Sequence, residues 1–364
     1  MIRMRLLILC LTCSVMNYAQ NLNLVTTLDN SLEETSGLIY FDNRLITHND
    51  SGGDAALYEI NTGNGAVSRT VRIQNASNTD WEDICEDENY IYVGDIGNNN
   101  GNRTNLRIYK ILKTDYLNNA AVTAEVIRFS YADQTDFTAA PQDTNYDGEA
   151  LISFGENLFV FTKNWKDGKT NIYKIPKAAG TYSAERVDSF DSQGLVTGGS
   201  HNVLSEKVVL TGYAGITPFI IELTGFSNGK FSNGVIDRYN ISTPSTYSFQ
   251  IEAITYFNEN DYYLSAEQNV LGKTSLYSIS AKTLSVGIHQ LSPENLFPNP
   301  VKDYLNIDSD TDIEKTEIYD YLGKKVFEDN SNKKSFGIKN LAKGIYVLKL
   351  YSQSGSVSMK FIKE

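Results

Sequence analysis

Residues 24–285 repeat one pattern of short strands five times, and this repetition constrains the fold more than any other feature of the chain. Each copy begins with a small or acidic residue that leads into an apolar one, followed by a short apolar strand that ends in polar residues. Each copy then has a strand of the form apolar–aromatic–polar–apolar, which reads LYEI, IYKI, IYKI, IIEL and LYSI. The copies start at positions 36, 82, 149, 200 and 252, so successive starts lie 46, 67, 51 and 52 residues apart.

Repeats of this length with several strands each are typical of β-propellers, in which twisted sheets stack around an axis because no sheet can bury both faces alone. No segment shows a long apolar run at helical spacing. The sequence therefore predicts an all-β fold with a propeller of about five blades, or six if residues 112–140 or 180–198 contain a degenerate copy. We expect a strand within residues 21–28 to pair with the last blade and close the ring.

The N-terminal segment is typical of a secretory signal peptide. Residues 1–19 contain Arg3 and Arg5, an apolar stretch over residues 6–15 and a short polar end. The apolar stretch is too short for a transmembrane helix, and no other stretch is long and apolar enough to be one. We therefore expect export through the Sec pathway, no transmembrane span, and a mature chain whose only cysteine is Cys85, which excludes an intrachain disulfide.

The charge of the chain is acidic. The formal charge is −12 and becomes −14 when residues 1–19 are removed. This sign disfavours binding to nucleic acids or anionic membranes, and it suits cation binding.

The last seventy or so residues contain a set of ordered motifs and short strands. The motif residues are Pro298, Asn299 and Pro300 in a turn, Gly323 in a hairpin, and Gly344 and Tyr346 in a strand. The short strands and turns predict a small immunoglobulin-like β-sandwich. The alternative is an ordinary C-terminal β-domain for binding or spacing.

These C-terminal motifs resemble the type A C-terminal sorting domain of the type IX secretion system of Bacteroidota. The resemblance implies recognition by the export machinery of the outer membrane. In that family the domain is commonly removed, and the cargo is released or attached to surface lipopolysaccharide. The predicted organisation is a signal peptide at 1–19, a propeller at 20–289 and a sorting domain at 290–364, in a protein that is secreted or attached to the outer cell surface.

The amino-acid sequences of the repeats also resemble those of a known family. HNDSGGDAALYEI, DWEDICEDENYIYVGDIGNNNGNR and YDGEAL are similar to segments of secreted bacterial propellers of the SdiA-regulated and NHL-like kind, and more distantly to the gluconolactonase and regucalcin group. Activities in that broad group range from none known to metal-dependent hydrolysis of lactones or esters, so the resemblance does not select one.

Carboxylates recur at the repeat positions that a propeller brings to one end of its axis. The expected rim residues are Glu82, Glu149, Glu252, Asp50, Asp95, Glu267, Lys163 and His48. Such a ring could bind Ca²⁺ or another hard divalent cation, a sugar or a cationic ligand. Alternatively, the recurring glutamates accept backbone N–H bonds from the next blade and only hold the stack together. His48 is either a general base or a hydrogen-bonded structural histidine.

A second candidate calcium site lies before the third repeat. Asp143, Asn145 and Asp147 place oxygen ligands at alternate positions before Gly148, as in the start of a calcium loop. The twelfth position is Phe154, where an EF-hand needs glutamate, so the segment is either a looser calcium site, which could also include Glu149, or a solvated turn.

Three functions remain open from the sequence. The first is an exported propeller that binds an unknown extracellular ligand or acts as a scaffold. The second is a metal-dependent hydrolase of an ester, lactone or phosphoester with the metal held by the carboxylate ring, and the third is a carbohydrate-binding propeller. No catalytic residue or certain cofactor is assigned.

Overall fold

The computed structural model describes residues 20–242, 250–267, 273–280, 295–308, 313–320, 324–352 and 355–364. The described residues fall into two compact units, divided between Ala281 and Lys282. The predicted signal peptide and the motif residue Gly323 lie outside the described ranges. Both units are built from β-strands, as the sequence predicts, and within those ranges α1 (Lys113–Asn118) is the only α-helix. None of the described helices has the length and hydropathy needed to cross a membrane.

The first unit contains many short strands and two 3₁₀ turns, at Asn30–Leu32 and Phe231–Asn233. In chain order its strands are β1 (Gln20–Asn21), β2 (Asn23–Thr27), β3 (Thr35–Phe41), β4 (Arg44–Asn49), β5 (Ala56–Ile60), β6 (Val67–Ile73), β7 (Trp81–Glu86), β8 (Tyr90–Asp95), β9 (Arg107–Leu112), β10 (Ala121–Val122), β11 (Glu125–Tyr131), β12 (Gly148–Phe154), β13 (Asn157–Thr162), β14 (Thr170–Pro176), β15 (Gly180–Phe190), β16 (Leu195–Asn202), β17 (Lys207–Ala214), β18 (Thr217–Thr224), β19 (Val235–Ser242), β20 (Ile251–Tyr256), β21 (Asp261–Ala266) and β22 (Ser275–Ser280).

These strands pair as five antiparallel meanders. Meander 1 is β3–β6, meander 2 is β7, β8, β9 and β11, meander 3 is β12–β15, meander 4 is β16–β19, and meander 5 is β20–β22 with β2. The pairing of β2 with β22 is the one that the sequence predicts for the N-terminal strand. Meanders 2 and 3 join into one eight-stranded sheet through a parallel pair, β11 and β15, while β1 and β10 extend the outer edges of meanders 4 and 1.

The first strands of the five meanders contact one another in cyclic order. β3 contacts β7, the series continues through β12, β16 and β20, and β20 contacts β3. Apolar side chains fill the space between neighbouring meanders: Leu38 packs with meander 5, and the next residue, Ile39, packs with meander 2. Successive side chains of a strand point to opposite faces, so a strand covered on both faces is apolar along its length. Trp81 is fully buried in such a cluster and offers no surface for sugar stacking.

Each first strand contains a β-bulge near its start. The pairing register skips one residue in each strand, and the skipped residues are Gly37, Glu82, Glu149, Thr197 and Glu252. A bulge bends the strand and changes the direction of its side chain. In the fourth copy the predicted start at Ser200 is wrong, because the equivalent position is Thr197, whose hydroxyl donates to the Ile251 carbonyl at 2.6 Å.

The second unit consists of two sheets around one apolar core. Its strands are β23 (Asn295–Phe297), β24 (Tyr304–Asp308), β25 (Lys315–Asp320), β26 (Lys325–Asp329), β27 (Ser335–Gly337), β28 (Gly344–Ser352) and β29 (Gly355–Lys363). One sheet has the order β23-β24-β27 and the other β26-β25-β28-β29. Leu305 and Phe336 of the first sheet share the core with Leu348 and Phe361 of the second.

The motif residues of the second unit have structural contacts. Asn299, between Pro298 and Pro300, accepts a hydrogen bond from the Ile362 N–H at 3.0 Å and donates one to the Lys360 carbonyl at 3.2 Å. The turn therefore holds the last strand in place.

Strand β28 carries the other two described motif residues. It begins at Gly344, and the ring of Tyr346 stacks on Phe361 with centroids 5.5 Å apart. These residues therefore help to fix the second sheet.

Candidate functional site

Carboxylates from several meanders meet at the bulged starts of the first strands. Oxygen atoms of Asp50, Asp80 and Glu82 lie within 4.8 Å of one another, and so do those of Glu82, Asp147 and Glu149. Glu252 and Glu267 act on this group electrostatically, since both raise the pKa of neighbouring groups in it. We call these seven residues the acidic cluster: Asp50, Asp80, Glu82, Asp147, Glu149, Glu252 and Glu267.

Local sequence explains how the backbone delivers these groups. Asp80 and Glu82 flank one residue at the start of β7, and Asp147 and Glu149 do the same at the start of β12. Residues two apart share a face of a strand, and the bulge at each glutamate bends that strand. Asp80 is absent from the sequence-based prediction, although the Asp–x–Glu pattern repeated at 80–82 and 147–149 would have indicated it.

Gly97 leaves the space that the cluster needs. A Cβ atom at this position would lie 2.1 Å from Glu82 Oε1 and 2.6 Å from Asp80 Oδ2. The backbone of the segment that follows β8 can therefore approach both carboxylates only because the residue has no side chain.

The first trio of carboxylates, Asp50, Asp80 and Glu82, has few hydrogen-bond or ion-pair partners. Glu82 is 6% exposed, and within the described ranges no group donates a hydrogen bond to its carboxylate. The Oδ1 atom of Asp50 is buried without a hydrogen-bond partner. The cation nearest to Asp80 among the described ion pairs is Arg103, with Nη1 3.9 Å from Asp80 Oδ2. A buried carboxylate without a donor is costly, so this trio is a candidate site for a cation.

Burial and mutual repulsion shift the titration of the cluster. Burial, together with the charges of Asp80 and Glu267, raises the pKa of Asp50 to about 7. Burial also raises the pKa of Asp80 to about 6 and that of Glu252 to about 8, and it raises the pKa of Glu82 well above the usual range. A bound cation would favour the ionised forms and reverse these shifts.

Lys163 compensates the negative charge of the second trio, Glu82, Asp147 and Glu149. Its Nζ lies 2.9 Å from Glu149 Oε1, and the side chain is 9% exposed. Burial alone would lower the pKa of Lys163, but the charges of Glu149 and Glu252 outweigh it and the pKa is raised. Asp147 accepts hydrogen bonds from the Trp165 indole at 2.7 Å and from the Asn98 N–H.

Asp83 performs the structural role that the sequence analysis considered for the glutamates. Its carboxylate accepts N–H bonds from Ile84 in its own strand at 2.8 Å, from Leu151 in β12 at 2.8 Å and from Gly199 in β16 at 3.1 Å. Burial raises the pKa of Asp83, and the three N–H groups oppose this shift. Asp83 therefore ties three first strands together and leaves the neighbouring Glu82 free of this task.

Asp95 lies beside the cluster, where its charge contributes to the raised pKa of Asp80, but its own charge is compensated. It is fully buried between Arg103 Nη2 at 2.7 Å and Arg107 Nε at 2.9 Å. The position after β8 that is equivalent to Lys163 is occupied by Ile96. The Ile96 N–H donates to the Asp80 carbonyl, and the Lys163 N–H donates in the same way to the Asp147 carbonyl.

His48 is not a member of the two groups of carboxylates that approach within 4.8 Å of one another. It is fully buried, its Nδ1 lies 3.0 Å from the Asn49 carbonyl, and its ring packs edge-on against Trp81 with centroids 5.5 Å apart. Burial lowers its pKa to about 4, so the ring is neutral at physiological pH.

The predicted calcium loop is not one site. Asp143 is exposed, with Lys166 Nζ 3.9 Å away, and Asn145 donates to Asp167 at 2.9 Å. Of the three residues, Asp147 is the one whose carboxylate meets those of Glu82 and Glu149 in the acidic cluster. The loop instead lines a polar cleft of about 420 Å³ with Arg186.

Comparison with known proteins assigns the second unit. Residues 295–364 match the secretion system C-terminal sorting domain. The chain is a cargo of the type IX secretion system with a type A sorting domain, and it is exported to the extracellular space or the cell surface.

Other relatives are more distant. The ulvan lyase NLR42 of Nonlabens ulvanivorans is 25% identical over 218 residues, which cover 58% of this chain and 37% of that protein. The chain thus spans little more than a third of the length of this relative. Among solved structures, PorZ of the Porphyromonas gingivalis type IX secretion system is 13% identical, with a TM-score of 0.37 over 91% of this chain and 45% of that one. An exo-β-1,3-galactanase of Phanerochaete chrysosporium is 7% identical, with a TM-score of 0.45 over 93% and 95% of the two chains.

Proposed function

We propose that the first unit is a five-bladed β-propeller that binds a hard divalent cation such as Ca²⁺ at the acidic cluster. The five meanders are the blades, with the propeller at 20–289 between a signal peptide at 1–19 and the sorting domain at 290–364. The cyclic contacts of the first strands and the apolar clusters between neighbouring meanders support this architecture. The type IX system delivers the binding module to the outside of the cell.

One observation carries the cation proposal: Asp50, Asp80 and Glu82 converge with little compensating charge. Two like charges 4 Å apart repel by about 4 kcal/mol at the effective dielectric constant typical near protein surfaces. Ca²⁺ takes six to eight oxygen ligands, which carboxylates from different strands and water can supply. The cluster stabilises the protein when a cation is bound and destabilises it when none is.

The proposal is tested on the mature full chain by isothermal titration with Ca²⁺ and by thermal unfolding with Ca²⁺ or with EDTA. We expect saturable binding and a higher Tm with Ca²⁺. Asp50→Asn should abolish both effects, whereas Asp143→Asn, which alters an exposed carboxylate outside the cluster, should preserve them. Equal Tm values in Ca²⁺ and EDTA, with no heat of binding, would exclude the cation site.

Carbohydrate binding is a second candidate, favoured by the polar cleft of about 420 Å³ lined by Thr138, Asn145, Lys166 and Arg186. These residues offer hydroxyl, amide and cationic donors of the kind that hold sugar hydroxyl groups. The distant similarity to a protein named ulvan lyase agrees with this chemistry. A glycan array with wild type and Arg186→Ala tests it, and equal signals from both proteins would remove the cleft from consideration.

The hydrolase alternative lacks a histidine base at the cluster. The described groups that approach one another closely enough to hold a metal include aspartates and glutamates but neither His48 nor His201. A metal-bound water would therefore have to lose its proton to a carboxylate. We consequently place ligand binding before hydrolysis.

A further inference from the structure

We propose that the acidic cluster has two cation compartments and that the protein fills one of them itself: the divalent ion lies between Asp50, Asp80 and Glu82, and the Lys163 ammonium replaces a second ion. This inference rests on the proposed function and specifies how many ions the site takes and where. Wild type should bind one ion, although its carboxylates could hold two.

The compartments follow from the positions of the carboxylate oxygens. The two trios that meet within 4.8 Å share one member, Glu82, so they are adjacent and not independent. Asp50 and Asp80 complete the first compartment, and Asp147 and Glu149 complete the second. A shared carboxylate between two trios is an arrangement that suits a pair of neighbouring cations.

The second compartment already holds a cation. Lys163 Nζ bonds Glu149 Oε1 at 2.9 Å, and aromatic rings border the ammonium: it lies 5.0 Å from the centroid of Trp165 and 5.6 Å from that of Tyr213. Aromatic faces and carboxylates together attract a cation. Lysine is a compact point charge on a long stem, so it can take the position of an ion.

The first compartment lacks an equivalent group. Asp50 Oδ1 is buried without a partner, and Glu82 is 6% exposed and, in the described part of the chain, receives no hydrogen bond at its carboxylate. Arg103 approaches Asp80 only to 3.9 Å and makes its short contact, 2.7 Å, with Asp95 instead. An added ion therefore gains more in the first compartment than beside Lys163.

The test counts ions bound to the full mature chain by isothermal titration with Ca²⁺ and, as a second probe, Tb³⁺. Wild type should bind one ion, and Lys163→Met should bind two. Lys163→Arg keeps the charge and should bind one. Lys166→Met removes a neighbouring exposed lysine and is the matched control, which should also bind one.

The outcomes separate this inference from the proposal on which it rests. One ion in both wild type and Lys163→Met would overturn the replacement by Lys163 and leave the cation site intact. No ion in any variant would overturn the proposed function itself.

A second pair of variants covers the case in which Lys163→Met does not fold. Asp50→Asn should lose the single ion of the wild-type protein by at least a hundredfold in affinity, and Asp143→Asn should retain it. Retention of the ion by Asp50→Asn would place it outside the first compartment and contradict the inference.

Discussion

The two ends of the first strands differ in charge balance. At the bulged end the acidic cluster brings seven carboxylates together near Lys163 and Arg103. At the far end of β7, Glu86 pairs with Lys113 at 2.5 Å and Asp87, just beyond it, pairs with Lys177 at 2.9 Å, so these two carboxylates each have their own lysine. A cavity of about 380 Å³ lies at this far end, lined by Glu86, Lys113 and Lys177 among others. Uncompensated charge therefore distinguishes the candidate site from the far end.

Removal of the shared carboxylate should have the largest effect on binding. Glu82→Gln removes a member of both trios while preserving volume, so Ca²⁺ affinity should fall at least a hundredfold, about 2.8 kcal/mol. Glu86→Gln, four residues along the same strand, should leave the affinity within twofold. Calorimetry on the two variants compares the two ends of β7 directly. Equal losses of Ca²⁺ affinity would contradict the assignment of the cation site to the bulged end.

A methyl group at Gly97 should weaken binding by about tenfold, about 1.4 kcal/mol. The new Cβ would meet Glu82 Oε1 and Asp80 Oδ2 and must displace them. Gly155→Ala is the control for backbone effects in a turn, since no atom lies within 4 Å of its added Cβ, although its positive φ of 55° carries some strain. Gly97→Ala with unchanged affinity would show that the carboxylates do not need their observed positions.

Asp83→Asn should destabilise the fold by about 1–3 kcal/mol without changing the number of ions bound, because one acceptor oxygen for neighbouring N–H groups becomes a donor. The Leu151 and Gly199 N–H groups both donate to Asp83 Oδ2, so both lose their acceptor if this oxygen becomes the amide nitrogen. Urea unfolding measures the loss, and a variant as stable as wild type would contradict the structural role of Asp83.

The smallest effect concerns pH in the absence of metal. Asp50, Asp80 and Glu252 have folded pKa values of about 7, 6 and 8, above their unfolded values near 4. The folded state therefore binds more protons, and stability falls as pH rises from about 4 to 8. In EDTA we therefore expect a lower Tm at pH 8 than at pH 5. Ca²⁺ should reduce this drop, and a Tm that rises with pH in EDTA would contradict the assignment.

Much of the fold could be predicted from the sequence, because it depends on patterns that repeat. The apolar–aromatic strands recur at a spacing that allows only stacked sheets, and the pairing of β2 with β22 follows from an unmatched strand at one end. The motifs of the sorting domain include Asn299, whose contacts are local and hence visible in sequence.

The site was less predictable, because it depends on register. Glu82, Glu149 and Glu252 were identified because each recurs at the same position of its repeat, and in the structure each lies at a β-bulge. The start of the fourth copy was misplaced by three residues, because Thr197, and not an acidic residue, lies at its bulge. Asp83 was missed because its three partners come from separate strands.

The pairing of β2 with β22 has a consequence for how the protein is made. Asn23 lies opposite Ser278, so the last sheet of the first unit is complete only when segments some 250 residues apart meet. Contacts between such distant segments form slowly, because the chain must first lose the entropy of a very long loop. The strands between these segments can therefore pair before this final step of assembly. Until that step the outer edge of β22 remains open to pairing with other strands.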